Sequence, residues 1–310
     1  MNEDLVAPRE VLGNTLAELA DTDSSVIVID ADLARSTRAD AFEAVHPEQF
    51  LQMGVAEQNA VGVASGLAYA GLKPVFVSMA MFSTGLPWTQ LRMAAYAGLH
   101  VVVVGSHPGL DIGPDGGTHQ MLEDLALMRA IPGFTVLVPS DSAETAQAVT
   151  WAVQSEGPVY VRVGRQPVRE LPHESEFSPG TAEVMLSYGT DVVLVAEGSM
   201  VSVATEVADD LANDGVQATV VDIRSIKPLD EKTIVDLAAD TPLMVTLENH
   251  SVIGGLGAAV AEVLDGGTRL KRIGTHDHFG SSASADELRE EFGLDRRGVL
   301  TQIREFLNES

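Results

Sequence analysis

Two histidines and two aspartates fall within one glycine-rich segment, residues 105–120, which follows a short apolar run. Glycines permit tight turns, so several polar side chains can converge on one ligand. One interpretation is a metal site, with His107, Asp111 or Asp115, and His119 as ligands. A second is a bare surface turn. We favour a third, in which two imidazoles transfer protons or hold substrate hydroxyls.

A lone carboxylate, Glu57, stands at the head of a predicted small-residue helix that runs from about Ala56 to Ala70. The apolar residues of this helix recur at helical spacing: Val61, Ala64, Leu67 and Ala68. This pattern predicts a helix that is buried on most sides, where a carboxylate is costly unless it is used. Glu57 favours the helix dipole or caps free N–H groups, or it shares a proton with a ligand nitrogen.

Apolar strands alternate with helices along the chain, which predicts parallel sheets covered on both faces. A segment rich in proline and charge interrupts this alternation, and 310 residues are enough for two cores. We therefore predict an α/β protein of two doubly wound domains, residues 1–167 and 189–310, joined by a linker at 168–188. In such sheets, ligands bind at the carboxyl ends of the strands.

The composition argues against several classes of protein. A formal net charge of −26 repels nucleic acid and anionic membranes. The chain has no cysteine, which fits a reducing compartment. No apolar run approaches the length of a membrane span, and the first residues lack the apolar core of a signal peptide. We expect a cytoplasmic protein that binds neither nucleic acid nor membrane.

Four motifs together resemble the transketolase family: Phe50–Gln58, Met81-Phe82, Gly113–Gln120 and Arg165-Gln166. The third is the most specific, because it is close to the family's Gly-Glu-Asp-Gly-Pro-Thr-His-Gln. The resemblance covers nearly the whole chain and corresponds to the C-terminal two thirds of a transketolase. It implies a thiamine diphosphate pyrimidine-binding domain followed by a transketolase C-terminal domain. The implied reaction transfers a two-carbon ketol unit from a ketose phosphate to an aldose through a thiamine diphosphate carbanion.

The resemblance also implies roles for individual residues. Glu57 matches the catalytic glutamate that bonds N1′ of the cofactor's aminopyrimidine, and Phe82 matches the aromatic residue that stacks on this ring. Asp32 either binds the cofactor near the thiazolium or only ends a strand. The residues that match substrate-binding positions are Arg9, Ser36, His107, Asp115, His119 and Arg165. Of these, the two histidines contact donor and acceptor hydroxyls, the aspartate contacts a sugar hydroxyl, and the remaining three hold the phosphate.

One family motif is missing from the sequence. No Gly-Asp-Gly is followed by an asparagine at the spacing that binds magnesium and diphosphate. The resemblance therefore implies the beta-type subunit of a split transketolase, with no metal ligands of its own. An N-terminal-type partner would hold the diphosphate and Mg²⁺ or Ca²⁺, in an α2β2 assembly with a beta–beta contact.

Other interpretations stay open on the sequence alone. The same two-domain plan fits the beta subunit of a 2-oxo acid dehydrogenase-type enzyme, or an assembly subunit without activity. A nicotinamide enzyme is disfavoured, because the glycine motif at 254–257 is incomplete. The trio His276-Asp277-His278 allows a metal site, although a surface cap or a domain contact is favoured.

Overall fold

The computed structural model describes residues 5–264 and 266–308. The chain forms two compact units, which are described separately. The first consists of the chain up to Pro108 together with Leu127–Glu170. The second consists of Gly109–Ala126 together with the chain from Leu171 onward. Among the described residues, no helix is both long enough and apolar enough to cross a membrane.

Up to residue 170, strands and helices alternate as the sequence predicts. The strands are β1 (Leu5–Val6), β2 (Val26–Asp30), β3 (Phe50–Gln52), β4 (Lys73–Met79), β5 (Val102–Ser106), β6 (Thr135–Leu137), β7 (Val159–Val163) and β8 (Val168–Arg169). The helices are α1 (Leu12–Thr22), α2 (Ala34–Thr37), α3 (Asp40–Val45), α4 (Glu57–Tyr69), α5 (Trp88–Tyr96), α6 (Asp124–Arg129) and α7 (Ser142–Gln154).

Six strands of the first unit lie side by side in the order β6-β7-β5-β4-β2-β3, and every neighbouring pair is parallel. The inner strands are valine-rich runs, and every residue of β5 and β7 is buried. A sheet buried on both faces needs such continuous apolar strands. The two-residue strands β1 and β8 pair antiparallel, with Leu5 opposite Arg169.

From residue 171 onward the chain forms a second α/β series. Its strands are β9 (Glu183–Ser187), β10 (Val192–Ala196), β11 (Ala218–Asp222), β12 (Ser225–Lys227), β13 (Leu243–Ser251) and β14 (Arg269–Thr275). Its helices are α8 (Met200–Asn213), α9 (Glu231–Asp240), α10 (Leu256–Val263), α11 (Ala285–Glu291) and α12 (Arg296–Asn308). The order β14-β13-β10-β11-β9 forms one sheet that is parallel except for β9 at its edge. The predicted α/β class with parallel sheets is confirmed.

Two local expectations differ from the structure. The segment predicted as a linker, 168–188, contains β8 and β9, since short apolar runs such as Val184–Leu186 were obscured by the surrounding prolines and charges. The prediction that α4 is buried on most sides is wrong. Gly62, Gly66 and Tyr69 are exposed on it, the last at 86%. Helical spacing of apolar residues predicts an apolar helix, but not what covers each of its faces.

Candidate active site

Five of the residues selected from the sequence follow the carboxyl ends of five parallel strands in the first unit. They are Asp32 after β2, Glu57 after β3, Phe82 after β4, His107 after β5 and Arg165 after β7. These strands are consecutive in the sheet, in the order β7-β5-β4-β2-β3. The residues therefore lie along one edge of the sheet, where ligands of open parallel sheets bind.

At the β7–β5 end of this edge, the structure brings together four residues selected from the sequence: Arg9, Ser36, His107 and Arg165. Nη1 of Arg9 donates a hydrogen bond to Nε2 of His107 at 2.9 Å and another to the backbone oxygen of Ser36 at 3.0 Å. The backbone N–H of Arg9 bonds the oxygen of Gly164, which precedes Arg165. Burial, the nearby Arg165 and Arg38 lower the pKa of Arg9, against the opposing effect of Glu10. The cluster is cationic and suits an anion.

His107 is held neutral in this cluster. Its side chain is 2% exposed, and burial, followed by the charges of Arg9 and Arg165, lowers its pKa to about 3. A guanidinium can only donate, so Nε2 is the acceptor from Arg9 and Nδ1 carries the hydrogen. Nδ1 then donates to Oγ of Ser106 at 2.7 Å. His107 also has a φ of 59°, an uncommon conformation for a non-glycine residue.

At the other end of the edge, Gln52 ties the turn after β2 to the turn that leads into α4. Its Nε2 donates to the carboxylate of Asp30 at 2.7 Å, and its Oε1 accepts from the N–H groups of Asp32 and Gly54 at 3.0 and 2.9 Å. Asp30 is fully buried, and burial raises its pKa against these hydrogen bonds. Gln52 therefore fixes the turn that precedes Glu57.

Glu57 is the first residue of α4 and is 7% exposed. Within residues 5–264 and 266–308, no hydrogen bond or ion pair involves its carboxylate. A nearly buried carboxylate without a protein partner is costly, so a ligand is the natural partner. Among the described residues, Glu57 thus makes no capping bond, and of the two structural interpretations only the favourable interaction with the helix dipole is left beside the ligand.

Phe82 lies on a single turn of π-helix, Met81–Gly85, that begins just after β4. Thr84 holds this turn through a hydrogen bond from its Oγ1 to the oxygen of Ala80 at 2.7 Å. Turns of π-helix are rare and occur frequently at functional sites. The Phe82 ring is half-buried, which leaves part of it for contact with a ligand.

Asp115 and His119 belong to the second unit, on a loop of residues 109–120 that we call the substrate loop. Asp115 is exposed and His119 half-buried, and Oγ1 of Thr118 lies 3.0 Å from Nδ1 of His119. Asp111, in contrast, is buried, and both of its oxygens accept hydrogen bonds from Arg289. Asp111 is thus committed to a protein partner and is a poor candidate for the metal ligand that the sequence allowed.

Comparison with known proteins agrees with this architecture. Residues 5–170 match the transketolase pyrimidine binding domain, and residues 180–299 match the transketolase C-terminal domain. The first match alone spans more than half of the chain. The chain belongs to the transketolase family.

Within the transketolase family, the chain is similar to subunits of split enzymes. A 6-deoxy-6-sulfo-D-fructose transketolase subunit of Clostridium sp. (strain MSTE9) is 39% identical over 96% of this chain and 93% of its own length. An apulose-4-phosphate transketolase subunit of Phocaeicola vulgatus is 34% identical over 99% of both chains. A solved structure described as a split-gene transketolase, inactive beta4 tetramer, has a TM-score of 0.90 at 41% identity, over 98% of this chain and 99% of its own. The chain is therefore a split transketolase-family subunit.

Two further segments that stood out in the sequence have local structural explanations. The carboxylate of Glu248 accepts hydrogen bonds from the N–H groups of Leu256 and Gly257, at 2.7 and 2.9 Å. The helix that follows the glycine motif at 254–257 thus has its first N–H groups bonded to the carboxylate of Glu248. His276, Asp277 and His278 are exposed and line a cavity of about 300 Å³ beside Phe279.

Sequence reasoning missed Gln52, Ser106 and the pair Asp111–Arg289. Gln52 stood inside a motif that was recognised, and Ser106 preceded a selected histidine, so adjacency was the available signal for both. Arg289 lies 178 residues from Asp111. Nothing in the sequence connects those two residues.

Proposed function

We propose that this chain is the beta-type subunit of a split transketolase that moves a two-carbon ketol unit from a ketose phosphate to an aldose. The observation that carries the proposal is the nearly buried Glu57 carboxylate, which has no partner among the described residues and stands at one end of the row of candidate residues. The cationic cluster of Arg9, His107 and Arg165 stands at the other end of this row. One end suits a nitrogen heterocycle and the other a phosphate, as thiamine diphosphate and a sugar phosphate require.

Enzymes of the transketolase family depend on thiamine diphosphate, and the residues of this chain fit the pyrimidine half of that cofactor. Glu57 would bond N1′ of the aminopyrimidine, and Phe82 would stack on the ring. The cofactor, when bound, supplies the carbon nucleophile that accepts the two-carbon unit. Arg9 and Arg165 would bind the sugar phosphate, with Ser36 beside them, and His107, Asp115 and His119 would bind sugar hydroxyls.

The diphosphate half requires another chain. The missing Gly-Asp-Gly motif and the bonded N-terminus of α10 leave this chain without a recognised site for a diphosphate and its cation. An N-terminal-type subunit would supply that site, together with Mg²⁺ or Ca²⁺, in an α2β2 complex. The similarity to subunits of split transketolases supports a partner of this kind.

The beta–beta contact of such a complex has a candidate surface, formed by α4, α5 and their adjoining loops. From residue 54 to residue 99 the chain has only three charged residues, Glu57, Lys73 and Arg92. This α4–α5 surface also exposes large apolar side chains: Val55, Tyr69, Leu86, Met93 and Tyr96. Two chains of net charge −26 repel each other, so they would associate through a surface with few charges. The beta4 tetramer of the related split-gene transketolase is consistent with self-association.

Reconstitution with the partner tests the proposal. An affinity tag on this chain should recover the partner subunit from its source cells. Calorimetry in magnesium buffer should then detect tight binding of thiamine diphosphate to the reconstituted complex and weak binding to this chain alone. The complex should transfer a ketol unit from at least one member of a ketose phosphate panel. Tight binding of the cofactor to the isolated chain would contradict the split-site arrangement.

A further inference from the structure

We infer that Arg289, together with Ser199, is a positioning residue for the substrate loop, through the buried carboxylate of Asp111. The inference rests on the proposed function, since it assigns these residues to the placement of Asp115 and His119. It gives the second unit a part in substrate binding, although neither Arg289 nor Ser199 belongs to a motif recognised in the sequence.

The contacts form a closed triangle. Nε and Nη2 of Arg289 donate to the two oxygens of Asp111 at 2.7 and 2.6 Å. Oγ of Ser199 donates to Asp111 at 2.9 Å and accepts from Nη2 of Arg289 at 3.0 Å. Asp111 is 2% exposed. Bidentate bonding by a guanidinium fixes the direction of a carboxylate as well as its position.

Each corner of the triangle lies on a different element. Asp111 is on the substrate loop, Ser199 precedes α8, and Arg289 lies on α11. The start of α11 is fixed by a reciprocal capping box between Ser284 and Glu287. Arg289 is therefore presented by a helix with a defined first turn, which holds the guanidinium in a fixed position beside Asp111.

Both ends of the substrate loop are also bonded to other elements of the second unit. The side chain of Asn249, on β13, accepts a hydrogen bond from the N–H of Leu110 at 2.9 Å. Gly109 packs so closely on Asn249 that any side chain there would collide with it. At the far end, Nε2 of Gln120 donates to the oxygen of Ser281 at 2.9 Å. Between these anchors, Asp111 is a buried, charged attachment, four residues before Asp115 and eight before His119.

A buried pair of this kind contributes more to geometry than to net stability. The cost of burying both charges offsets much of their attraction, whereas removing one partner leaves the other charge buried and unpaired. The chain offers a matched contrast: Arg296 bonds Asp210 in a bidentate fashion at 2.7 Å for both contacts, but on the surface, between α12 and α8. That exposed pair holds no part of the substrate loop.

The test compares Arg289→Ala, the milder Ser199→Ala and the control Arg296→Ala. Hydrogen–deuterium exchange of the chain alone is followed for peptides that cover residues 109–120 and, as a reference, β10. Loop exchange should become at least about tenfold faster in Arg289→Ala, with β10 unchanged. Arg289→Lys should recover part of the protection, because a lysine can make one of the two bonds.

In the reconstituted complex, with D-fructose 6-phosphate as the probe donor, kcat/KM should fall about tenfold to 100-fold in Arg289→Ala. The control should match the wild type in both measurements. Unchanged loop exchange in Arg289→Ala and Ser199→Ala would overturn the inference, as would faster exchange that spreads equally to β10, because Arg289 would then be a general structural residue. A wild-type complex that transfers a ketol unit from no member of the ketose phosphate panel would refute the proposed function, while the exchange measurement would still decide the role of Arg289.

Discussion

The guanidinium of Arg9 donates a hydrogen bond to Nε2 of His107 across 2.9 Å, and this contact requires a neutral imidazole. A protonated imidazole has no lone pair left to accept that bond. Burial is the main cause that keeps the pKa of His107 far below its usual value, and the positive charges of Arg9 and Arg165 add to it. The histidine thus enters the site as a neutral acceptor whose Nδ1–H is bonded to Ser106.

This state of His107 predicts a loss of stability in acid. The unfolded chain has a histidine pKa near 6.5, whereas the folded chain holds it at about 3. Between these values the unfolded state binds the extra proton, so the free energy of unfolding falls as the pH falls through this window and is unaffected above it. From pH 7 to pH 5 this one group should cost about 2 kcal/mol.

Urea denaturation of the wild type and of His107→Gln at the two pH values measures that difference. The variant should lose less stability between pH 7 and pH 5, by about 2 kcal/mol. His100→Gln, in which a half-buried histidine that bonds the oxygen of Gly157 is replaced, is the control. An equal acid sensitivity of wild type and His107→Gln would mean that His107 is not held neutral.

Replacement of Glu57 by glutamine separates a structural role from a catalytic one. Glutamine keeps the size of the side chain and can still form hydrogen bonds, but it cannot exchange a proton with N1′ of the cofactor. If Glu57 activates the cofactor, the Glu57→Gln complex should assemble and bind thiamine diphosphate, while deuterium exchange at C2 slows by about 10²–10⁴-fold.

Stability offers the cross-check for this variant, since a residue that only begins a helix should change the free energy of unfolding by about 1 kcal/mol or less. Glu48→Gln, which replaces an exposed glutamate ahead of β3, is the matched control and should keep full exchange. A wild-type rate of exchange at C2 in the Glu57→Gln complex would mean that Glu57 has only a structural role.

A charge placed on the α4–α5 surface should disrupt the proposed beta–beta contact. Tyr96 is 84% exposed there, and Tyr96→Glu should weaken self-association at least about tenfold in sedimentation velocity, since central aromatic residues dominate interface energies. Val235→Glu, on an exposed position of α9, is the control. Circular dichroism should be unchanged in both variants. Equal self-association of wild type and Tyr96→Glu would exclude this surface as the contact.

The sequence was sufficient to predict the strands of the first sheet and where they end. Valine-rich runs marked the strands, and the rule that ligands bind at carboxyl ends selected His107 and Arg165 at the positions where the structure has them. Helix α4, predicted from about Ala56 to Ala70, is observed at Glu57–Tyr69. In each case the evidence was local, because a run of apolar residues and its boundary are contained within a few positions.

Contacts between remote positions were not predictable in this way. Gln52 bonds Asp30 across 22 residues, and Arg289 bonds Asp111 across 178. In a different fold, Gln52 and Arg289 would be ordinary surface residues. The exposure of Gly62 and Tyr69 was missed for a related reason. The residues of a helix determine how apolar it is, whereas the rest of the chain and its partners determine which of its faces are covered.

The order of the strands sets a length scale along the site. Neighbouring strands lie about 4.8 Å apart, so the end of β4, which carries Phe82, and the end of β7, which carries Arg165, are separated by roughly 10 Å across β5. Under the proposed function, this interval measures the distance from the pyrimidine ring of the cofactor to the phosphate of the donor. The sheet would then select sugars by their length. A change of the preferred sugar length would require new side chains at the strand ends, because the spacing of the strands is fixed by backbone hydrogen bonds.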